Sequence, residues 1–383
     1  MTRYDYIIAG AGAAGLSLLV HMIHSGRFTD KKILLIDVAP KDQNDRTWCF
    51  WEQDAGLFDS IVYKRWNKLW FHGDDHTPKL HDVSPYEYKM IRGIDFYQYC
   101  FELIGSFGNI TVMYDRIDDM HREAEHVYIS AGGKTFTADY IFNSIPPSFD
   151  AIKADYFLWQ HFKGWTIEAT EPIFNPHHAT LMDFRINQED DCRFVYVMPF
   201  SENTALVEYT VFSEKLLSQE EYKTGLANYC FEFLRLPKHK YNIVSSEFGK
   251  IPMTNFSFSR ADGNIIHIGT AGGQTKASSG YTFHFIQEHS RKIVECLIAN
   301  EYPLVSVSSK KFDFYDSVLL KILSEKKLKG SEVFSQMFSR NHMKDVFKFL
   351  DNETSVAEDF AIIRKLPTID FLTAAVTHLI GSN

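Results

Sequence analysis

The sequence predicts an α/β fold: a Rossmann-type nucleotide-binding domain interleaved with an antiparallel β-sheet domain, and a helical C-terminal region. Three features predict it: a glycine fingerprint between two apolar strands, a central block of period-two segments, and a late strand–glycine–helix element. At the start, the β-prone run Tyr6–Ala9 leads into Gly10, Gly12 and Gly15 in GxGxxG spacing. An apolar helix pattern then runs from Leu16 to about Ile23. Gly10 permits the tight turn, Gly12 lets a pyrophosphate approach the backbone, and Gly15 lets the helix pack on the sheet. With Ala11 and Ala14 they form a loop and helix start whose N–H groups can face an anion. The second apolar run, Ile33–Ile36, ends in Asp37, whose carboxylate can accept hydrogen bonds from ribose hydroxyls.

The remaining elements follow in order. Lys68–His72 lies in an aromatic, β-prone stretch over 60–90, an excursion out of the first domain. Asp95–Ile104 is apolar at helical spacing, and Ile110–Tyr114, Val127–Ile129, Thr135–Thr137 and Asp139–Asn143 read as strands. Arg193–Pro199 and Thr204–Val211 alternate about a Ser-Glu-Asn turn, predicting an antiparallel hairpin. On its second strand Leu206, Glu208 and Thr210 share one face, while Ala205, Val207, Tyr209 and Val211 share the other. Residues 219–234 are helical in pattern. Asn264–Ile268 is a last buried strand running into Gly269-Thr-Ala-Gly-Gly273, before a helix to about Ala299. This second glycine turn can aim backbone N–H groups at an anionic ring or phosphate, so Gly269, Thr270, Gly272 and Gly273 join the candidate binding residues. The plainer reading is a strand-to-helix connector.

We therefore expect a discontinuous nucleotide domain of residues 1–60, 92–150 and 255–300. A β-sheet substrate domain would comprise 61–91 and 151–254, and 301–383 would form the helical C-terminal region.

Composition narrows the function. A net charge of −9 argues against nucleic-acid binding. The five cysteines are dispersed, which fits reduced thiols in a cytoplasmic protein, and no metal-ligand spacing occurs. Residues 6–23 are apolar but glycine-broken, with one preceding arginine, and read as neither a signal peptide nor a membrane span. Aromatic residues reach 15%, with 32 Phe and 19 Tyr, suggesting a large apolar cavity, a membrane-facing surface or a compositional bias. Between Lys310 and Lys348 there are nine Lys/Arg against five Asp/Glu, interleaved with Phe312, Phe314, Tyr315, Phe334, Phe338, Phe347 and Phe349. Such a region can rest on an anionic membrane or pack on the core as an amphipathic tail.

From residue 1 to about 300 these motifs resemble, in order, the lycopene β-cyclases of the bacterial and plant flavoprotein type. Besides the fingerprint, Asp45-Arg-Thr-Trp-Cys-Phe-Trp51 looks like the segment that follows the family's second strand. Phe194-Val-Tyr-Val-Met-Pro199 and Leu206-Val-Glu-Tyr-Thr210 are similar to its central hairpin, and Gly249-Lys-Ile-Pro-Met253 and Gly269–Phe283 complete the series. The resemblance implies a Rossmann-type FAD-binding domain, FAD used in its reduced form, and NADPH or NADH as reductant. It further implies lycopene or a related acyclic carotenoid as substrate, cyclised to β-rings without net redox change. Such a substrate dissolves in bilayers, so the expected location is cytoplasmic, peripheral on the inner face of the membrane.

Two departures stand out. Gly269 is followed by Thr270 where many related flavoproteins have Asp, and the hairpin carries Glu208 then Tyr209 where plant members have two acids. One carboxylate, Glu208, is thus the candidate proton donor, against the alternative of a solvent-facing strand glutamate. Asp183 is a secondary candidate for base or for holding the site. Arg46 can reach a pyrophosphate or pair with Asp42 or Asp45 at the surface. The competing class is a redox flavoenzyme of the same fold, a hydroxylase or a prenyl-chain reductase, using the same cofactor residues. Whether one or both ends close, and which ring isomer forms, stays open.

Overall fold

The computed structural model describes residues 2–381 apart from 124–125, 150–151 and 307. A parallel sheet runs in the order Ile265–His267, Tyr140–Asn143, Tyr6–Ala9, Ile33–Asp37, Ile110–Tyr114, with Ala261–Asp262 antiparallel at the edge. Its central strands are buried at every position because both faces are covered. Alternation divides them between two cores. Tyr6, Ile8 and Leu35 pack with the helices Ala13–Ser25, Gly93–Gly105 and Phe283–Ile298. Ile7, Ala9, Leu34 and Ile36 face the strands Ile117–Glu123, His126–Ala131 and Lys134–Ala138. The strand Tyr6–Ala9 lies between Ile33–Asp37 and Tyr140–Asn143, so chain order reverses there. Its glycine loop leaves the sheet at the position where open α/β sheets place ligands.

The second sheet has seven strands, in the order Tyr241–Thr254, Phe157–Ala169, Thr204–Ser213, Cys192–Pro199, His178–Asp183, Lys68–His72, Pro78–Asp82. The Cys192–Pro199 and Thr204–Ser213 hairpin matches the sequence reading, as does the division of its faces. Ala205, Val207, Tyr209 and Val211 pack under the helix Gln219–Glu232, while Leu206 and Phe212 face the opposite core. Ser218 caps that helix, its hydroxyl accepting from the Glu221 N–H while the Glu221 carboxylate accepts from the Ser218 N–H.

A three-stranded sheet, ordered Thr47–Glu52, Glu87–Arg92, Lys64–Trp66, joins the two large sheets. Its first strand is a seam. Trp48 and Phe50 turn toward Phe283 and Phe96 in the nucleotide-side core, and Cys49 and Trp51 turn toward the core of the seven-stranded sheet. A period-two strand thus sends alternate aromatics into two cores and ties them together.

The C-terminal region is helical, over Lys310–Ser324, Gly330–Arg340, Met343–Leu350, Val356–Ile363 and Thr368–Gly381. Phe312, Phe334, Phe338, Phe347 and Phe349, weighed above as a membrane surface, are buried against the seven-stranded sheet. The amphipathic-tail reading holds for them, since their apolar area is covered by protein. A buried network pins these helices to the second glycine segment. Lys276 Nζ lies 3.0 Å from Asp316 Oδ1 and donates to Asn352 Oδ1 at 2.7 Å, and Ser278 Oγ donates to Asp316 Oδ1 at 2.6 Å. Among the described residues no helix is long and apolar enough to cross a membrane.

Candidate active site

The two glycine motifs meet. A Cβ on Gly269, whose φ is +60°, would lie 2.6 Å from Ala14 Cβ, so the second turn packs on the first turn of the helix Ala13–Ser25. Gly10 has φ +99°, and a Cβ there would strike Ser144 Oγ at 2.3 Å. Gly15 touches the loop directly, since a Cβ on it would fall 2.0 Å from the Gly10 carbonyl. Gly12 is different. Its backbone is extended, and a Cβ there would meet no atom within 4 Å. The helix that follows has no acidic residue in its first turn and no side-chain cap, leaving its N–H groups open to an anion. Asp37 ends its strand beside this loop, and its Oδ2 accepts from the Ala11 N–H at 2.6 Å. The Lys41 ammonium is 3.2 Å from the other oxygen. The open space, uncapped N–H groups and strand-end carboxylate fit a dinucleotide.

The second turn keeps Gly269 and Gly272 buried, with Gly273 at φ +76° receiving the chain. Thr270 Oγ1 is 3.3 Å from Thr275 Oγ1, which accepts from Thr282 Oγ1 at 3.1 Å. Gln274 Oε1 is buried beside them without a hydrogen-bond partner. Arg46 is exposed. Its Nη1 donates to the Asp45 carbonyl at 2.6 Å and lies 3.9 Å from the Asp45 carboxylate, the surface pairing weighed for it above.

Glu208 sits mid-strand in the seven-stranded sheet, buried, opposite Tyr196 on one side and Gly164 on the other. Gly164 also pairs with Glu247 on its far side. Glu208 and Glu247 therefore stand on one face, across a residue that has no side chain to separate them. Glu208 Oε1 accepts from Thr210 Oγ1 at 3.2 Å, and Glu247 Oε2 accepts from Thr47 Oγ1 at 2.8 Å. Burial, then the nearby Glu247 charge, holds the Glu208 carboxyl well above the usual glutamate range. Burial also raises Glu247, opposed by the Thr47 hydrogen bond and the charge of Arg46. Around the pair lie Cys49, whose Sγ is 3.4 Å from Met198 Sδ, and the hydrogen-bonded tyrosines Tyr88, Tyr196 and Tyr281. Trp51 meets Tyr281 edge-on at 4.6 Å between ring centres and stacks on Phe347 at 4.2 Å.

Sequence reasoning missed Glu247. The available signal was Gly164, a lone glycine within a long strand, which marks close approach of other groups. Asp183 is not brought to this site, which corrects its candidacy as the base. It pairs with Val195, so it projects from the face opposite Glu208 and Tyr196. There its carboxylate accepts from Arg185 Nε at 2.8 Å, Arg185 Nη2 at 2.5 Å and the Tyr229 hydroxyl at 2.8 Å. That arrangement holds the sheet to its helix.

A further buried acid borders the site. Asp351 Oδ2 accepts from Trp51 Nε1 at 2.5 Å, and burial pushes its carboxyl up to about 7. A folded-state value above the unfolded one means its stabilising contribution is complete in acid and lost as pH rises through 7. Asp351→Asn keeps an acceptor for the indole and cannot ionise. We expect it to stabilise the protein at pH 8, by at most about 4 kcal/mol, and to change little near pH 4. Thermal melts at both pH values test this, and an equal shift at both would contradict it.

A glycine loop at a sheet switch point, overlaid by a large antiparallel sheet, is a fold shared with solved flavoproteins. Similar solved structures include a flavoprotein/dehydrogenase from Cytophaga hutchinsonii, with TM-score 0.69 and 12% identity over 100% of both chains. The flavin-dependent brominase Bmp2 aligns with TM-score 0.64 and 13% identity, also over 100% of both. A geranylgeranyl bacteriochlorophyll reductase-like protein from Thermoplasma acidophilum aligns with TM-score 0.60 and 12% identity, covering 100% of this chain and 99% of that one. At such identities the likeness is one of fold. The family described as "Lycopene cyclase protein" matches residues 5–376, and the chain belongs to it. A curated relative, "Neoxanthin synthase, chloroplastic" of Solanum tuberosum, is 25% identical over 300 residues, 73% of this chain. The chain spans 57% of that relative's length.

Proposed function

We propose that this protein is a lycopene β-cyclase, closing the acyclic ends of a linear carotenoid into β-rings by acid–base chemistry without net redox change. Membership of the lycopene cyclase family supports this reading, and the buried carboxyl of Glu208 carries it. FAD would be held by Gly10, Ala11, Gly12, Ala14 and Gly15, with Asp37 toward the ribose and Gly269, Thr270, Gly272 and Gly273 toward the ring. When bound and reduced, with NADPH or NADH as the reductant, it supplies negative charge that stabilises a nearby carbocation. Glu208 donates its proton to the terminal alkene, a role that needs a carboxyl kept neutral by apolar surroundings. The faces of Tyr196, Tyr281 and Trp51 add cation–π attraction and keep water from the cation. A polyene of this kind dissolves in bilayers, and we propose a peripheral position on the inner membrane face. Val356, Phe360, Leu372 and Val376, exposed on the last two helices, support it.

The test is an anaerobic assay with reduced FAD and lycopene presented in anionic or neutral vesicles. Product mass should equal substrate mass, each ring formed in heavy water should gain one deuterium, and nicotinamide use should not scale with product. A two-hydrogen mass gain with stoichiometric nicotinamide use would make the protein a reductase. Faster turnover on anionic vesicles, lost at high salt, is expected of the surface position, and equal rates on both would contradict its electrostatic part.

A further inference from the structure

We propose that Glu208 and Glu247 act as one acid–base unit sharing a single proton, which leaves through Glu208 and is replaced by the proton the ring loses. This rests on the cyclisation reading above. Strands on either side of a third lie about 9.5 Å apart, a gap that two facing glutamate side chains can close only over a small residue. Gly164 is that residue, since a Cβ there would lie 2.9 Å from Glu247 Cγ and 2.9 Å from Leu206 Cδ1. Glu247 thus leans across Gly164 toward Glu208.

The hydrogen-bond inventory then limits the charge. Glu247 Oε2 has the Thr47 hydroxyl, and Glu208 Oε1 has the Thr210 hydroxyl. Glu247 Oε1 is buried and meets no N–H or O–H donor. The group across Gly164 is a second carboxyl, and two carboxylates have no donor between them, so a proton on one completes the contact. Both ionised, they would be like charges away from water. Tyr196, Tyr88, Tyr281 and Cys49 surround the pair, each held in its neutral form by burial. Arg46 lowers Glu247 only from a distance, as the smallest of its influences, while exposed and paired with Asp45. Among the described residues, then, no cation in contact with the pair offsets a second negative charge.

One proton on two carboxyls matches the balance of the reaction. The Glu208 O–H bond breaks as a C–H bond forms at the terminal alkene, whose π pair is consumed. An internal π pair closes the ring and moves the cation onto a ring carbon. The adjacent C–H bond then breaks, its electron pair becomes the ring double bond, and its proton goes to the pair. After donation the pair is a buried dianion, a far stronger base than either carboxylate alone. The pair ends as it began and exchanges with solvent before the next turnover, and no oxidant or reductant is consumed.

Glu247→Gln removes the like charge while keeping the shape. Glu208 should then ionise at lower pH, moving the alkaline limb of turnover down by about one unit and cutting activity about tenfold at pH 7.5, with recovery in acid. Gly164→Ala, which wedges the carboxyls apart, should shift the limb the same way and guards against misfolding of the first variant. Independently of activity, difference infrared spectra at pH 7 should show a protonated-carboxyl band that moves in heavy water and is altered by both Glu208→Gln and Glu247→Gln. A limb that stays in place in both Glu247→Gln and Gly164→Ala, with a band indifferent to Glu247→Gln, overturns the pairing. Failure of the wild-type protein to form any cyclised product overturns the cyclase reading instead, and leaves the infrared result to decide the pairing alone.

Discussion

Glu208→Gln is expected to lower cyclisation by about 10²–10⁴-fold, the usual contribution of a positioned general acid, while flavin content stays normal. The amide has the size of the carboxyl and can still meet Thr210, so the strand should keep its pairing with Tyr196 and Gly164. What it cannot do is release a proton to an alkene. Turnover with lycopene, measured beside flavin absorbance and a thermal melt, separates this from damage to the fold. Wild-type-like cyclisation by the variant would move the acid elsewhere, with Glu247 the first place to look.

Gly12→Val should leave the fold intact and abolish flavin binding. A side chain there meets no protein atom within 4 Å, and the extended backbone accepts any residue, so little stability is at stake. The same space is where a pyrophosphate must approach the helix N–H groups. Losing even two charge-assisted hydrogen bonds, each worth about 1.5–3 kcal/mol, costs about 100-fold or more in affinity. Gly15→Ala is the informative contrast, since its Cβ would fall 2.0 Å from the Gly10 carbonyl and disrupt the turn itself. Flavin retention and melting temperature should therefore part company in the first variant and fall together in the second. Full flavin absorbance in Gly12→Val would remove the cradle from the binding site.

Much of this was legible in one dimension, because the relevant signals are local. A four-residue apolar strand, three glycines at fixed spacing and an acid ending the next strand are enough to specify the cradle around Gly12 and Asp37. Alternation in the 204–213 strand likewise assigned Glu208 to the face of Leu206, and the sheet preserves that face. Membership of an aromatic, lysine-rich segment could not tell Phe334 or Phe347 whether lipid or protein would cover it, because both accept the same apolar area. The sheet covers them.

The pairing of acids was beyond local reading for a different reason. Which residues oppose each other across strands is set by register, and register is fixed by turns and cores distant along the chain. The register that aligns Gly164 with both Glu208 and Glu247 brings two carboxyls from separate strands over one glycine. By the same rule Asp183, also a buried carboxylate, opposes Val195 and faces the other way, into a salt bridge with Arg185. Neighbours a few residues apart suffice to specify the glycine loop, the hairpin and the strand face that carries the acid. Which second acid shares that face emerges only on folding, because a side chain's partners across a sheet depend on pairing over long separations.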